Sequence, residues 1–191
     1  MNEATAERYG EVTLSEVLDA RERRAEKQRE LLKKYGCPVV CFTMNIAGPV
    51  KNSEMIENAF DHGFEDLEKA LKGYCIKQLS KEYGKCGPTG YMSVEGDPGK
   101  IKKLCISVEE GEPVGRLYDI DVTDIEGNKL SRPKERGCIV CGKQGRACSA
   151  SRAHSVSELQ AATYFLLRKE SRQRNLATLV QLNFIVFESP L

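Results

Sequence analysis

The sequence predicts an α+β fold: a single domain with a mixed central sheet flanked by helices, a nucleotidyltransferase-like D-x-D strand and a small cysteine-rich excursion. Three observations predict it. Apolar residues recur at helical spacing over two long stretches, short β-branched apolar runs stand between glycines and prolines, and no internal repeat or low-complexity tract divides the 191 residues. A chain of this length buries roughly 70% of the surface it exposes when unfolded, so its core needs no disulfide staples.

Thr13 followed by Glu16 reads as a capping box, after which Leu14, Val17, Leu18, Ala25, Leu32 and Tyr35 recur at helical spacing until Gly36 stops the helix. Residues 37–46 (CPVVCFTMNI) suit a buried strand, and residues 47–52 (AGPVKN) a turn. Residues 53–72 return to helical periodicity through Met55, Ile56, Ala59, Phe60, Phe64, Leu67 and Leu71, ending at Gly73. Between 75 and 122, repeated glycines and prolines leave short segments, read as strands near 91–95, 104–109 and 117–123 with a helical turn near 98–103. Glu126-Gly127-Asn128 is a hairpin turn, and a last amphipathic helix is expected from 156 to about 173. The expected organisation is a flexible N-terminus over 1–12, a domain over 13–174 carrying the excursion at 133–154, and a tail of undetermined structure at 175–191.

Charge narrows the function. Lys and Arg total 29 against 28 Asp and Glu, a net charge of +1. That excludes the long-range field expected of a protein whose main partner is a nucleic acid or an anionic membrane. The N-terminal residues lack an apolar signal core, and the most apolar run, 176–187, is short of the ~20 residues needed to cross a bilayer. The expectation is a cytoplasmic protein whose eight cysteines are reduced thiols or metal ligands.

Several residue groups are able to carry chemistry. In the run Gly115-Arg116-Leu117-Tyr118-Asp119-Ile120-Asp121-Val122, strand alternation puts Asp119 and Asp121 on one face, roughly 6–7 Å apart, with Tyr118, Ile120 and Val122 toward the core. Two carboxylates so placed suit Mg²⁺ in phosphoryl transfer, or simply form the wet face of an edge strand. On the first helix, Arg21, Arg24 and Gln28 continue the stripe of Leu14, Val17 and Leu18, where burial would require internal carboxylates or a polyphosphate ligand. Gly48-Pro49-Val50-Lys51-Asn52-Ser53 joins a strand to a helix and is either an anion site at the helix start or a plain capped turn. Cys138, Cys141, Cys148 and His154 supply the ligand types of a structural zinc site, unless the thiols are unligated and His154 caps a helix. Cys37, Cys41, Cys75 and Cys105 read as small core residues. His62 is either a general base or a structural histidine.

Taken together and in this order, these motifs resemble a known family, the apo-citrate lyase phosphoribosyl-dephospho-CoA transferases (CitX). The resemblance is carried by Arg21, Arg24 and Gln28; by Cys41-Phe42-Thr43 and Gly48-Pro49-Val50-Lys51; by His62-Gly63 and Gly87-Pro88-Thr89-Gly90; and by Glu109. It continues through residues 113–122, Leu130-Ser131-Arg132 and the cysteine-rich arrangement. It implies transfer of the 2'-(5''-phosphoribosyl)-3'-dephospho-CoA group from its triphosphate, triphosphoribosyl-dephospho-CoA, to a serine of the citrate lyase acyl carrier protein (the gamma subunit), with release of pyrophosphate. Under that resemblance Asp119 and Asp121 hold Mg²⁺, with Glu109 a third carboxylate. Arg21, Arg24, Gln28, Gly48, Lys51, Arg116 and Arg132 contact the donor, and an aspartate or His62 accepts the serine proton. Lys100, Lys102 and Lys103 are candidates for a basic face toward the carrier. The alternatives are a related prosthetic-group transferase or general nucleotidyltransferase with another acceptor, and a non-catalytic zinc-knuckle binding module.

Overall fold

The computed structural model describes residues 8–187, and side chains as far as Ser171. Helix α1 spans Leu14–Tyr35; the Thr13 hydroxyl accepts from the Glu16 amide, the Glu16 carboxylate accepts from the Thr13 amide, and Gly36 closes the helix in the left-handed region at φ 61°. Strand β1 (Val39–Met44) leads to α2 (Glu54–Ala70), where the Ser53 hydroxyl caps the helix start by accepting from the Ile56 amide. Strands β2 (Cys75–Glu82) and β3 (Thr89–Glu95) follow, then α3 (Pro98–Gly111), a 3₁₀ turn at Pro113–Leu117, β4 (Tyr118–Thr123), the short α4 (Gly145–Ala150) and α5 (Val156–Phe187).

The sheet is antiparallel throughout, in the order β2-β3-β1-β4, and this corrects the expected mixed sheet. The correction follows from β2, which the sequence reading missed. Its side chains are half-exposed or exposed along its whole length, so it lacks the apolar alternation that marks a half-buried strand. Residues 104–109 are helix, not strand. Asp97 accepts from the Lys100 amide with Pro98 behind it, and the helix so started puts Ile101, Cys105 and Glu109 on one buried line. The last helix also runs on, unbroken, to Phe187, well beyond its expected end and through most of the proposed tail. Residues 1–7 of the expected N-terminal arm and 188–191 of the tail lie outside the described residues; within the arm, the Tyr9 hydroxyl donates to Glu57 and the Val12 amide to the Pro49 carbonyl.

The helices divide between the two faces of the sheet. On one face Val40, Phe42, Met92, Val94, Ile120 and Val122 pack with α2, α3 and Leu167 of α5 into the main core. Phe42 meets Phe60 and Tyr118 with ring centroids 5.0 Å apart in each case. Gly63 of α2 makes this contact possible, because a Cβ there would stand 2.5 Å from the Tyr118 ring. Gly63→Ala should therefore cost about 1–3 kcal/mol in denaturant unfolding, the ordinary result of overpacking a filled core.

On the other face, among the described residues, α1 is the helix laid down. Leu31, with Leu32 and Tyr35, covers Val39, Cys41 and Tyr91, so the helix sits over β1 and β3 and leaves the face of β4 open. Its register differs from the expected stripe. The buried positions are Ala20, Gln28 and Leu31, while Leu14 and Leu18 are 76% and 52% exposed. Arg21 is accordingly exposed and Arg24 half-buried; neither enters the core, and the space they face is a groove.

Candidate active site

The groove between α1 and β4 encloses about 860 Å³. Arg21, Arg24 and Gln28 form its helical wall; Cys41, Thr43, Asp119, Asp121 and Thr123 form its floor, and Lys129 stands at the hairpin end. The alternation of β4 is as expected, with Tyr118, Ile120 and Val122 buried and Asp119 and Asp121 on the groove face. Thr43 pairs with Asp119 and Cys41 with Asp121 across the ladder to β1.

Asp119 faces the opening, yet the walls around its carboxylate strip part of its hydration, and this, joined by the negative charge of Asp121, raises its pKa. Arg136 and Lys129 act the other way without prevailing. Asp121 accepts a 2.7 Å bond from the Lys129 ammonium. Across the groove, neither Arg21 nor Arg24 makes an ion pair among the described residues. The groove thus sets the crowded carboxylates of Asp119 and Asp121 against the guanidinium groups of Arg21 and Arg24, with Glu126, Arg29 and Lys33 also on its lining. A divalent cation would relieve the carboxylates, and the phosphates of a ligand would engage the guanidinium groups.

Gln28 also lines the groove, but its amide is committed: it accepts from the Thr123 hydroxyl at 3.0 Å and donates to the Arg24 carbonyl at 3.2 Å. It tethers α1 to the end of β4. Cys41 is an inert floor residue, its thiol pushed up to about 12 by burial and by Asp121.

The remaining site candidates are placed elsewhere. Glu109 lies behind the outer edge of β4, where its carboxylate accepts from the Ile120 amide at 2.9 Å and pairs with Arg136 at 2.9 Å and Arg132 at 3.4 Å. It does not share the groove face with the aspartates. Arg132 also pairs with Glu110, and Arg116 donates to the Gly137 carbonyl. Lys51 turns its ammonium back onto the Ile46 carbonyl at 2.6 Å, and Gly48 (φ 88°) packs against Gln160 of α5. His62 is on α2, across the sheet from the groove, with Nδ1 3.3 Å from the Glu170 carboxylate. Lys102 is buried and donates to the Ile120 carbonyl at 2.6 Å, so Lys100, Lys102 and Lys103 form no common surface. Sequence reasoning missed Lys129 and Arg136. The hairpin turn was a signal for the first, since it sets the bridge from Thr123 to Lys129; Arg136 had no signal in the local pattern.

The cysteine-rich excursion gathers its four expected residues. The ligand atoms of Cys138, Cys141, Cys148 and His154 all lie within 4.8 Å of one another, a group able to hold a metal ion. The Cys138 thiol is lowered to about 7, chiefly by the Cys141 amide, and His154 Nε2 is enclosed with no hydrogen-bond partner among the described residues. These features fit a tetrahedral cation that takes thiolates and one imidazole nitrogen.

Comparison with known proteins supplies the class. Residues 12–170 match the model of a family of transferases that act on apo-citrate lyase. The chain belongs to that family, CitX, the apo-citrate lyase phosphoribosyl-dephospho-CoA transferases. Relatives bearing that name from Escherichia coli O139:H28, Citrobacter koseri and Shigella boydii serotype 18 are each 32% identical over 154 residues, which cover 78% of this chain and 84% of theirs. Among the described residues, no helix is long and apolar enough to cross a membrane.

Proposed function

We propose that the α1–β4 groove binds triphosphoribosyl-dephospho-CoA and transfers its phosphoribosyl-dephospho-CoA group to a serine of the citrate lyase acyl carrier protein in the cytoplasm, releasing pyrophosphate. The observation that carries this reading is the facing of Asp119 and Asp121 by Arg21 and Arg24 across one open groove. The serine oxygen attacks the α-phosphorus of the triphosphate, a new P–O ester forms, and the bond to the β-phosphate oxygen breaks. Arg21 and Arg24 hold the phosphate chain and take up the charge that grows on the departing pyrophosphate. Asp119 and Asp121 fit a Mg²⁺ ion, because its charge would offset what raises Asp119, loss of hydration first and then the charge of Asp121. When bound there, the ion supplies charge neutralisation and alignment of the phosphate oxygens. His62, beyond the sheet, is out of reach of this face, so in this reading an aspartate on the groove floor receives the serine proton.

The test is to incubate the protein with Mg²⁺, triphosphoribosyl-dephospho-CoA and apo carrier protein, then weigh the carrier by mass spectrometry. The carrier should gain the mass of one prosthetic group. An unchanged mass, beside an active reference enzyme, would overturn the reading.

We also assign a structural zinc ion to Cys138, Cys141, Cys148 and His154. Protein purified without chelator should carry about one zinc per chain by elemental analysis, and Cys148→Ser with His154→Ala should abolish it. Metal-free protein from such a preparation would remove the assignment.

A further inference from the structure

The outer edge of β4 is unusual for an edge strand. Such an edge ordinarily offers its amides and carbonyls to water or to another chain. Here three consecutive peptide groups are taken by side chains. The Tyr118 carbonyl, in the peptide leading into Asp119, accepts from Arg136 Nη1 at 2.6 Å. The Ile120 amide, in the peptide leaving Asp119, donates to Glu109 Oε1 at 2.9 Å. The Ile120 carbonyl, in the peptide leading into Asp121, accepts from Lys102 Nζ at 2.6 Å. Arg136 Nη2 lies 2.9 Å from the same Glu109 oxygen, so one guanidinium bonds one end of the Asp119 residue directly and is ion-paired with the carboxylate that holds the other. The two terminal nitrogens of the guanidinium thus serve two partners, one by a hydrogen bond to the carbonyl and the other by an ion pair with the carboxylate.

The backbone that carries Arg136 is in turn part of the cysteine knuckle. The Gly145 amide donates to the Arg136 carbonyl at 3.2 Å, Gly137 bridges to Gln144, the Cys138 amide donates to the Lys143 carbonyl, and the Gly142 amide returns to the Cys138 carbonyl at 2.9 Å. The fit is close: a Cβ on Gly137 would stand 2.5 Å from the Gly142 carbonyl oxygen. Cys138, two residues beyond Arg136, belongs to the group of four residues whose ligand atoms are close enough together to hold a metal.

We propose that Arg136 is a positioning residue for the paired aspartates, and that metal bound by Cys138, Cys141, Cys148 and His154 holds Arg136 against β4. The excursion is then a clamp on the floor of the groove from its far side. The kinetic consequence rests on the reading of Asp119 and Asp121 as the working carboxylates; the structural consequence does not.

Amide hydrogen exchange on the full-length, metal-loaded protein reads the clamp. Arg136→Ala should speed exchange of the Ile120 amide about ten- to hundredfold, the loss expected when a charge-assisted contact supporting that bond is removed, and Arg136→Lys should give a smaller increase. Stripping the metal with a chelator should speed the same amide in the parent, reloading with zinc should restore it, and stripping should add little in Arg136→Ala, because both changes open one linkage. In the transfer assay, Arg136→Ala should lower kcat about tenfold with the donor KM changed less than about threefold, and Arg136→Lys should recover part of kcat. Exchange at Ile120 equal to the parent's in folded Arg136→Ala would overturn the proposal, and the same result in Arg136→Lys would do so if the alanine variant does not fold. Unchanged exchange after stripping would overturn the role of the metal. A parent protein that modifies no carrier would refute the transferase reading alone, since the exchange measurements would still decide the clamp.

Discussion

Transfer to the carrier should fall by at least about a thousandfold when Asp119 and Asp121 are both changed to asparagine, and the variant should resist denaturant at least as well as the parent at neutral pH. Asparagine keeps the size of each side chain, and the ladder between β1 and β4 is made by the backbone. The double change does remove the ion pair of Asp121 with Lys129, but that lysine side chain is 62% exposed and the pair's contribution to stability is accordingly small. Against that stands the crowding of Asp119. Its pKa is raised, first by desolvation and then by Asp121, so the folded protein holds a proton there to higher pH than the unfolded chain. Stability is therefore lost as pH rises from the ordinary aspartate value of 3.8 through the raised one. The asparagine variant has no such loss, and its advantage over the parent should appear across that window and persist above it. Carrier mass and urea unfolding at several pH values measure both halves. Near-parental transfer by the folded double variant would remove the aspartates from the mechanism; a collapse of stability would make them structural.

What was legible in the sequence is what depends on local periodicity and capping. The Thr13 and Glu16 box starts α1 as read, and strand alternation set Asp119 and Asp121 on the face opposite Ile120. Residues 104–109 misled because Ile106 and Val108 favour strands locally, whereas the cap at Asp97 and the fourfold spacing of Ile101, Cys105 and Glu109 decide for helix only over a longer window. Strand β2 was invisible because an exposed edge strand needs no apolar face, and without it the sheet direction was misassigned. The site divides in the same way. Arg21 and Arg24 meet the aspartates because helix spacing puts them on one wall. Charge alone could not tell that Lys51 reaches back to the Ile46 carbonyl, that Arg116 serves Gly137, or that the sheet itself separates His62 from the groove. The resemblance located the family and its motif residues, but a motif residue that braces the site and one that lines it look the same in a sequence.

Glu109 is the residue where that distinction has the largest effect on stability. Changing it to alanine should destabilise the protein by about 2–4 kcal/mol in urea unfolding, because it would leave the Ile120 amide without an acceptor and Arg132 and Arg136 without their shared carboxylate. The figure sits below that of a fully enclosed pair because the arginine side chains keep 17% and 21% of their surface in solvent and can turn toward it. Glutamine should cost much less, since a carbonyl oxygen can still accept from Ile120. Its pH dependence separates the causes. Burial raises the Glu109 pKa despite the amide and the two arginines, so stability from this group is present below the ordinary glutamate value of 4.5 and lost as pH rises through the folded one. Glu109→Gln does not titrate there, and its stability relative to the parent should improve as pH rises from 4.5 through the raised value. A third ligand of the groove cation would behave differently: Glu109→Gln would weaken the Mg²⁺ dependence of transfer and leave unfolding in metal-free buffer unchanged across that range. The position of Glu109 behind β4, with its oxygens already engaged by the strand edge and two arginines, is the physical ground for expecting the first pattern.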